Sequence, residues 1–216
     1  MAYQGIRQTQ KNQEKFNSFN CEHYWNIILK DLKVFSQNFW KNNFIISSIL
    51  EINYDFDIIL IQEPSWSTIR SILCTNNCEG AFLVGIPNHP NWLTFARELE
   101  SASDFPRVTI YINIRLSSLR FSLCKDVINH RDILLISFCN NNSLFWIMNI
   151  YSNSSHSALK YLKDSEANIP NLLIITRDFN IHDSIWDPSF SHHSSISDNL
   201  IIIADSFNLD LSVLTN

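Results

Sequence analysis

No apolar run in this chain of 216 residues approaches the ~20 residues that a membrane span requires, which argues against a spanning helix. There is no Cys-x-x-Cys pair and no signal-peptide pattern. The five cysteines (Cys21, Cys74, Cys78, Cys124 and Cys139) are odd in number. Neither a disulfide framework nor a thiolate metal site is expected, and a reduced, intracellular setting is, in nucleus or cytoplasm. Charge is sparse: Asp, Glu, Lys and Arg together make 17% of the chain and the net charge is −5. Such a balance argues against a protein that coats nucleic acid non-specifically, while leaving room for a local basic groove or an acidic metal cluster. What is abundant is hydrophobic residues, at 45%. The body of the chain is therefore expected to fold, as one large domain or two small ones.

The stretch that organises the rest is Leu172 to Pro188, LLIITRDFNIHDSIWDP. Leu172, Leu173, Ile174, Ile175 and Thr176 read as a strand buried on both faces. Asp178 and Asn180 then stand at its C-terminal mouth, where layered α/β proteins build sites on a rigid strand end and an exposed loop. A carboxylate and an amide two residues apart can divide the work of accepting a proton from water and orienting a phosphate. Taken alone, Asp-x-Asn reads first as a turn start.

Other elements follow in order. Residues 1–30 are polar and read as a frayed N-terminal arm, and 31–216 as the folded domain. Leu32 to Gln37 alternates as a half-buried strand that ends at Asn38. Ile45, Ile49 and Ile52 form a helical stripe. Asp57 to Ile61 is a buried strand leading into Gln62-Glu63-Pro64. Strands are also expected at Gly80–Ile86, Arg107–Asn113 and Leu119–Leu123, with a turn at Pro87–Pro90. Asp132–Phe138 and Leu144–Ile150 form a hairpin that Tyr151 closes. Helices are expected around Ala158, Leu159 and Leu162, and around Leu200, Ile203, Ala204 and Phe207. Arg107 and Arg131, each beside a strand start, are candidates for a phosphate groove or for surface ion pairs. His192 and His193, in a Ser-rich loop, read as solvated, and His182 and Trp186 as holding the loop after Asp178.

Asn38, Glu63, Tyr151 and the Asp178/Asn180 pair thus all lie at strand ends. The segments that carry them, SQN at 36–38, DIILIQEPSW at 57–66, RVTIYIN at 107–113, HRDILLISF at 130–138, MNIYSNSS at 148–155 and DFNIHDSIWD at 178–187, together resemble the endonuclease/exonuclease/phosphatase superfamily. The similarity is greatest to the endonuclease domains of non-LTR (LINE-type) retrotransposons. It implies an α/β (α+β) fold: a DNase I-like, four-layer β-sandwich of two mixed sheets flanked by helices. It further implies a phosphodiester hydrolase that uses Mg²⁺ or Mn²⁺, nicks DNA, and needs neither a membrane nor an organic cofactor. Residue by residue, it gives Glu63 the metal and Asn38 the support of that ligand. Asp178 takes the water, Asn180 the scissile phosphate, and Tyr151 a phosphate contact. Oxygen ligands suit a hard cation that lowers the pKa of bound water, and neutral amide and phenol donors hold phosphate without competing for the metal.

Three departures bear on activity. Arg177 stands where the resemblance expects glycine, and a nearby cation favours the ionised form of Asp178. Ser154 stands where an asparagine is expected, with Asn153 one step away. The strands and terminal His motif that the resemblance implies have no counterpart after Asn216, and Asp210 comes too soon after the preceding helix to match. The expectation is an incomplete domain lacking its last strands, weak or inactive as a nuclease, with an uncovered sheet edge that invites self-association. The alternatives are a non-catalytic remnant or binding module of the same fold, or a small-molecule phosphatase.

Overall fold

The computed structural model describes residues 4–8, 32–52, 55–72, 81–97, 105–140, 143–165, 169–170, 172–178, 183–185, 189–207 and 209–213. Its strands are β1 (Gln4–Gln8), β2 (Val34–Asn38), β3 (Ile58–Gln62), β4 (Ser67–Ile72), β5 (Ala81–Gly85), β6 (Trp92–Ala96), β7 (Val108–Asn113), β8 (Phe121–Leu123), β9 (Ile133–Asn140), β10 (Ser143–Tyr151), β11 (Ile174–Asp178) and β12 (Leu209–Val213). Helix α1 spans Asn43–Ile52, α2 Ser157–Ser165 and α3 Ser195–Ser206. A six-stranded sheet runs β12-β1-β11-β10-β9-β8, a four-stranded sheet β2-β3-β7-β6, and β4 pairs with β5 alone. Both larger sheets are mixed: β10 and β11 are parallel, as are β2 and β3, and the remaining pairs are antiparallel. No helix among the described residues is long and apolar enough to cross a membrane.

Strand alternation builds three cores and hence the layers. Ile58 and Leu60 of β3 face the other sheet, where they meet Leu134, Ile136, Ile147 and Ile174. Ile59 and Ile61, pointing the opposite way, pack under α1 with Phe39, Ile46, Leu50, Trp92 and Tyr111. Ile133, Leu135, Met148, Ile150 and Ile175 face outward from the larger sheet against Leu159 and Leu162 of α2 and Leu200 and Ile203 of α3. The order is helix, sheet, sheet, helix, the α/β two-sheet sandwich that the resemblance implies. Because β3 is buried on both faces along its whole length, its continuous apolar run was legible.

Four readings need correction. The stripe Ile45, Ile49, Ile52 is out of phase: Ile46 and Leu50 are the buried residues of α1, and Ile52 is 74% exposed. β4, β6 and β12 carry no expected strand in the sequence reading, yet Trp92–Ala96 adds to β7 with Trp92 opposite Asn113. The arm expected to fray contributes β1, with Gly5 opposite Thr176 on one side and Ser212 on the other. On the larger sheet, where an uncovered edge was expected beyond β11, β1 pairs with β11 and β12 lies beyond it, because a row of strand amides and carbonyls is satisfied by any extended backbone.

Candidate functional site

The parallel strands β2 and β3 run side by side, so Asn38 lies opposite Gln62 and one residue short of Glu63. The Asn38 side-chain amide donates to Glu63 Oε2 at 3.0 Å, and its carbonyl oxygen accepts from the Trp40 backbone N–H at 2.9 Å. Both ends of the amide are thereby fixed, and the carboxylate with them. The backbone that presents Glu63 is strained: its φ is 49°, and Trp40 and Lys41 opposite also lie at positive φ, 46° and 61°. This double bend is laced by Phe39 N–H to the Gln62 carbonyl (3.1 Å) and Lys41 N–H to the Glu63 carbonyl (2.8 Å).

Arg107, just before β7, ties this bend to the other sheet. Its carbonyl accepts the Glu63 N–H at 2.8 Å. Its guanidinium forks onto Asp132, Nε to Oδ1 at 2.7 Å and Nη2 to Oδ2 at 2.5 Å, and lies 4.6 Å from the centre of the Tyr151 ring. Burial works against the guanidinium charge, but Asp132, Tyr151 and Glu63 outweigh it and hold Arg107 above its ordinary basicity. Asp132, fully buried, accepts the Tyr151 N–H on its own carbonyl at 2.9 Å. Tyr151 is in turn the Cα partner of Asp178 across the parallel pair β10/β11.

Contacts therefore run from Asn38 through Glu63 and Arg107 to Tyr151, and by backbone register to Asp178. The Asp178 side chain, Asn180, His182 and Trp186 lie outside the described residues, as do Cys74 and Cys78. Among the described residues no group of three or more His, Cys, Asp or Glu gathers as a metal site. One oriented carboxylate still fits Mg²⁺, a hard cation that keeps several waters and takes one or two protein carboxylates.

With that geometry in place, comparison with solved structures finds the endonuclease domain of TRAS1, a telomere-specific non-LTR retrotransposon, at a TM-score of 0.57 and 14% sequence identity, over 82% of this chain and 70% of that one. The two share a fold. A scan of protein-family models finds no match, and a search of the curated proteins finds none either. The chain thus has a nuclease-like fold, and the strand ends holding Asn38, Glu63, Tyr151 and Asp178 are elements of it.

The sequence reading missed the buried polar groups beneath these strand ends. Asn149 of β10, fully buried, donates to the carbonyls of Ile61 (3.0 Å) and Thr109 (2.9 Å) in the facing sheet and accepts from Gln62 Nε2. Gln62 also donates to Ser36 Oγ at 3.2 Å. Beyond Tyr151, Asn153 accepts from the Ser157 N–H at 3.2 Å at the start of α2, and buried Ser152 meets His156 Nδ1 at 2.9 Å. Asn153 thus starts a helix. His156 is held below the ordinary imidazole pKa by partial burial and by Lys160.

His193 was read as solvated and is instead gripped by two carboxylates. Its Nδ1 lies 3.1 Å from Asp183 Oδ2 and its Nε2 2.7 Å from Asp198 Oδ1. Asp183 also accepts the N–H of Ser194, the N-cap of α3, at 2.8 Å and that of Ile185 at 3.0 Å. Asp183 and Asp198 raise the His193 pKa above its ordinary value. Burial would raise the Asp183 carboxyl, but donors from Ser197, Ile185, Ser194 and His193 together depress it. A raised imidazole stabilises fully below its unfolded pKa of ~6.5 and ceases to as pH climbs through the folded value; a depressed carboxylate stabilises above ~3.9 and ceases to as pH falls through its folded value. The clasp is therefore strongest between about pH 4 and 6.5. Amide exchange of α3 should be most protected there and weaken toward pH 8, with His193→Gln removing the alkaline change. An α3 protection profile identical in the variant and the parent would refute the assignment.

Proposed function

We propose that the chain is a metal-dependent phosphodiester hydrolase domain of the endonuclease type, as in non-LTR retrotransposons, with DNA as its substrate. The observation that carries this reading is the linkage Asn38–Glu63–Arg107–Tyr151 across two sheets, with Asp178 in register beside Tyr151. Glu63 holds Mg²⁺ or Mn²⁺, and Asn38 orients its carboxylate. Tyr151 and Asn180 contact the phosphate from neutral donors, and Asp178 orients or deprotonates the attacking water. The bound metal supplies Lewis-acid polarisation of the phosphoryl oxygen and a more acidic water.

Supercoiled plasmid incubated with the purified chain tests this. Mg²⁺ or Mn²⁺ should convert it only weakly to the open-circular form, as expected with Arg177 beside Asp178, EDTA should stop that conversion, and Asp178→Ala should remove it. A second reading, a binding module of the same fold, is favoured by Arg177, which stands where the resemblance expects glycine. It forecasts plasmid retained in gel shift but never nicked at any metal concentration, an outcome that would displace the first.

A further inference from the structure

We propose that Arg107 is a positioning residue that holds the Tyr151 ring and the Glu63 backbone in one arrangement, and not a ligand of phosphate. The inference rests on the nuclease reading above. Arg107 precedes β7 of the four-stranded sheet, while Asp132 immediately precedes β9 and Tyr151 ends β10, both strands of the six-stranded one. A guanidinium aimed at a phosphate keeps its planar fork for that phosphate. Here the fork is taken by a fully buried carboxylate, at 2.7 and 2.5 Å, and the flat face covers the Tyr151 ring at 4.6 Å.

Each end of the clamp is closed by a second bond. The Tyr151 N–H reaches the Asp132 carbonyl at 2.9 Å, and the Glu63 N–H reaches the Arg107 carbonyl at 2.8 Å. Movement of Arg107 therefore shifts the residues read as phosphate contact and metal ligand together. Arg131 approaches the same carboxylate from a half-exposed position, with its Nε 3.7 Å from Asp132 Oδ1. Lysine at position 107 cannot replace the fork: a compact ammonium has neither the bidentate geometry nor the stacking plane.

The test uses the full chain with 3-fluorotyrosine at position 151, comparing the parent with Arg107→Lys and Arg107→Gly. Three quantities are read: the ¹⁹F resonance, plasmid nicking, and affinity for a duplex oligonucleotide as a function of salt. For Arg107→Lys the resonance should shift and broaden and turnover fall about 10- to 100-fold, the range for groups supporting a metal ligand. Duplex affinity and its salt slope should stay as in the parent. Methylguanidinium added to Arg107→Gly should return the resonance and part of the rate.

A phosphate ligand behaves differently: Arg107→Lys would then keep the charge, the salt slope and the turnover, while Arg107→Gly would lose affinity and lower the salt slope by about one. That pattern, or an unmoved resonance in Arg107→Lys, overturns the proposal. If Arg107→Gly does not fold, the lysine variant alone decides. If the parent never nicks DNA, the nuclease reading fails while the resonance still decides the clamp.

Discussion

Glu63→Gly is expected to abolish metal-dependent nicking while leaving the fold as stable as the parent or slightly more so. Glu63 occupies left-handed backbone at φ 49°, a region that costs a residue with a Cβ roughly 1–2 kcal/mol. Glycine escapes that cost but brings back roughly 0.5–1 kcal/mol of chain entropy, so the net gain lies between about 0 and 1.5 kcal/mol, at most about 3–6 °C in Tm. Activity moves the other way. A Lewis acid contributes several kcal/mol to the transition state, and each ~1.4 kcal/mol is a decade, so loss of its carboxylate should cost about 10² or more in rate. Glu63→Gln separates the causes, because it keeps the strained backbone and removes only the charge. Strain retained where the chemistry is expected is how sites trade stability for geometry. A Glu63→Gly chain that melts several degrees lower, or that nicks at the parental rate, would sink this account.

Which parts of this were legible follows from where each signal resides. Glu63, Tyr151 and Asp178 mark the points where apolar runs stop, and a run's end is visible locally. β1 is the opposite case: Gln-Gly-Ile-Arg-Gln has no periodic pattern, and its pairing with β11 and β12 is by backbone bonds to residues about 170 or more positions away. The phase of α1 was misread because Ile45, Ile46, Ile49, Leu50 and Ile52 supply two stripes, and only the sheet beneath selects Ile46 and Leu50. The Arg107–Asp132 fork spans 25 residues, so charge patterning within one element could not reveal it. His193 has its first partner, Asp183, across a loop, and its second five residues on. A turn of helix beginning at the Ser194 cap was the one local hint.

Asn149→Leu should be the most destabilising substitution near the site. The Asn149 amide is fully buried between the sheets, with two carbonyls of the facing sheet and the Gln62 amide as partners. Leucine is close in volume, so no large void forms; what is lost is hydrogen bonding. The Ile61 and Thr109 carbonyls and Gln62 Nε2 each lose a partner away from water, at about 1 kcal/mol or more apiece. Burial of the leucine side chain returns at most about 1.5–3 kcal/mol, and in a space shaped for an amide it returns less. A net loss of about 2 kcal/mol follows, roughly 4–8 °C in Tm for a chain of this length. Gln62→Leu should cost less, since Ser36 is exposed enough at its strand to find water. The double variant should cost less than the sum, because the Gln62–Asn149 bond is lost only once; such coupling is commonly about 0.5–3 kcal/mol. Thermal unfolding of the four proteins closes that cycle. Strict additivity, or an Asn149→Leu chain as stable as the parent, would mean that the amide does not staple the sheets. Tyr151, two residues further along the same strand, would then be placed without that staple, by contacts that include Arg107, the Asp132 carbonyl and the register with Asp178.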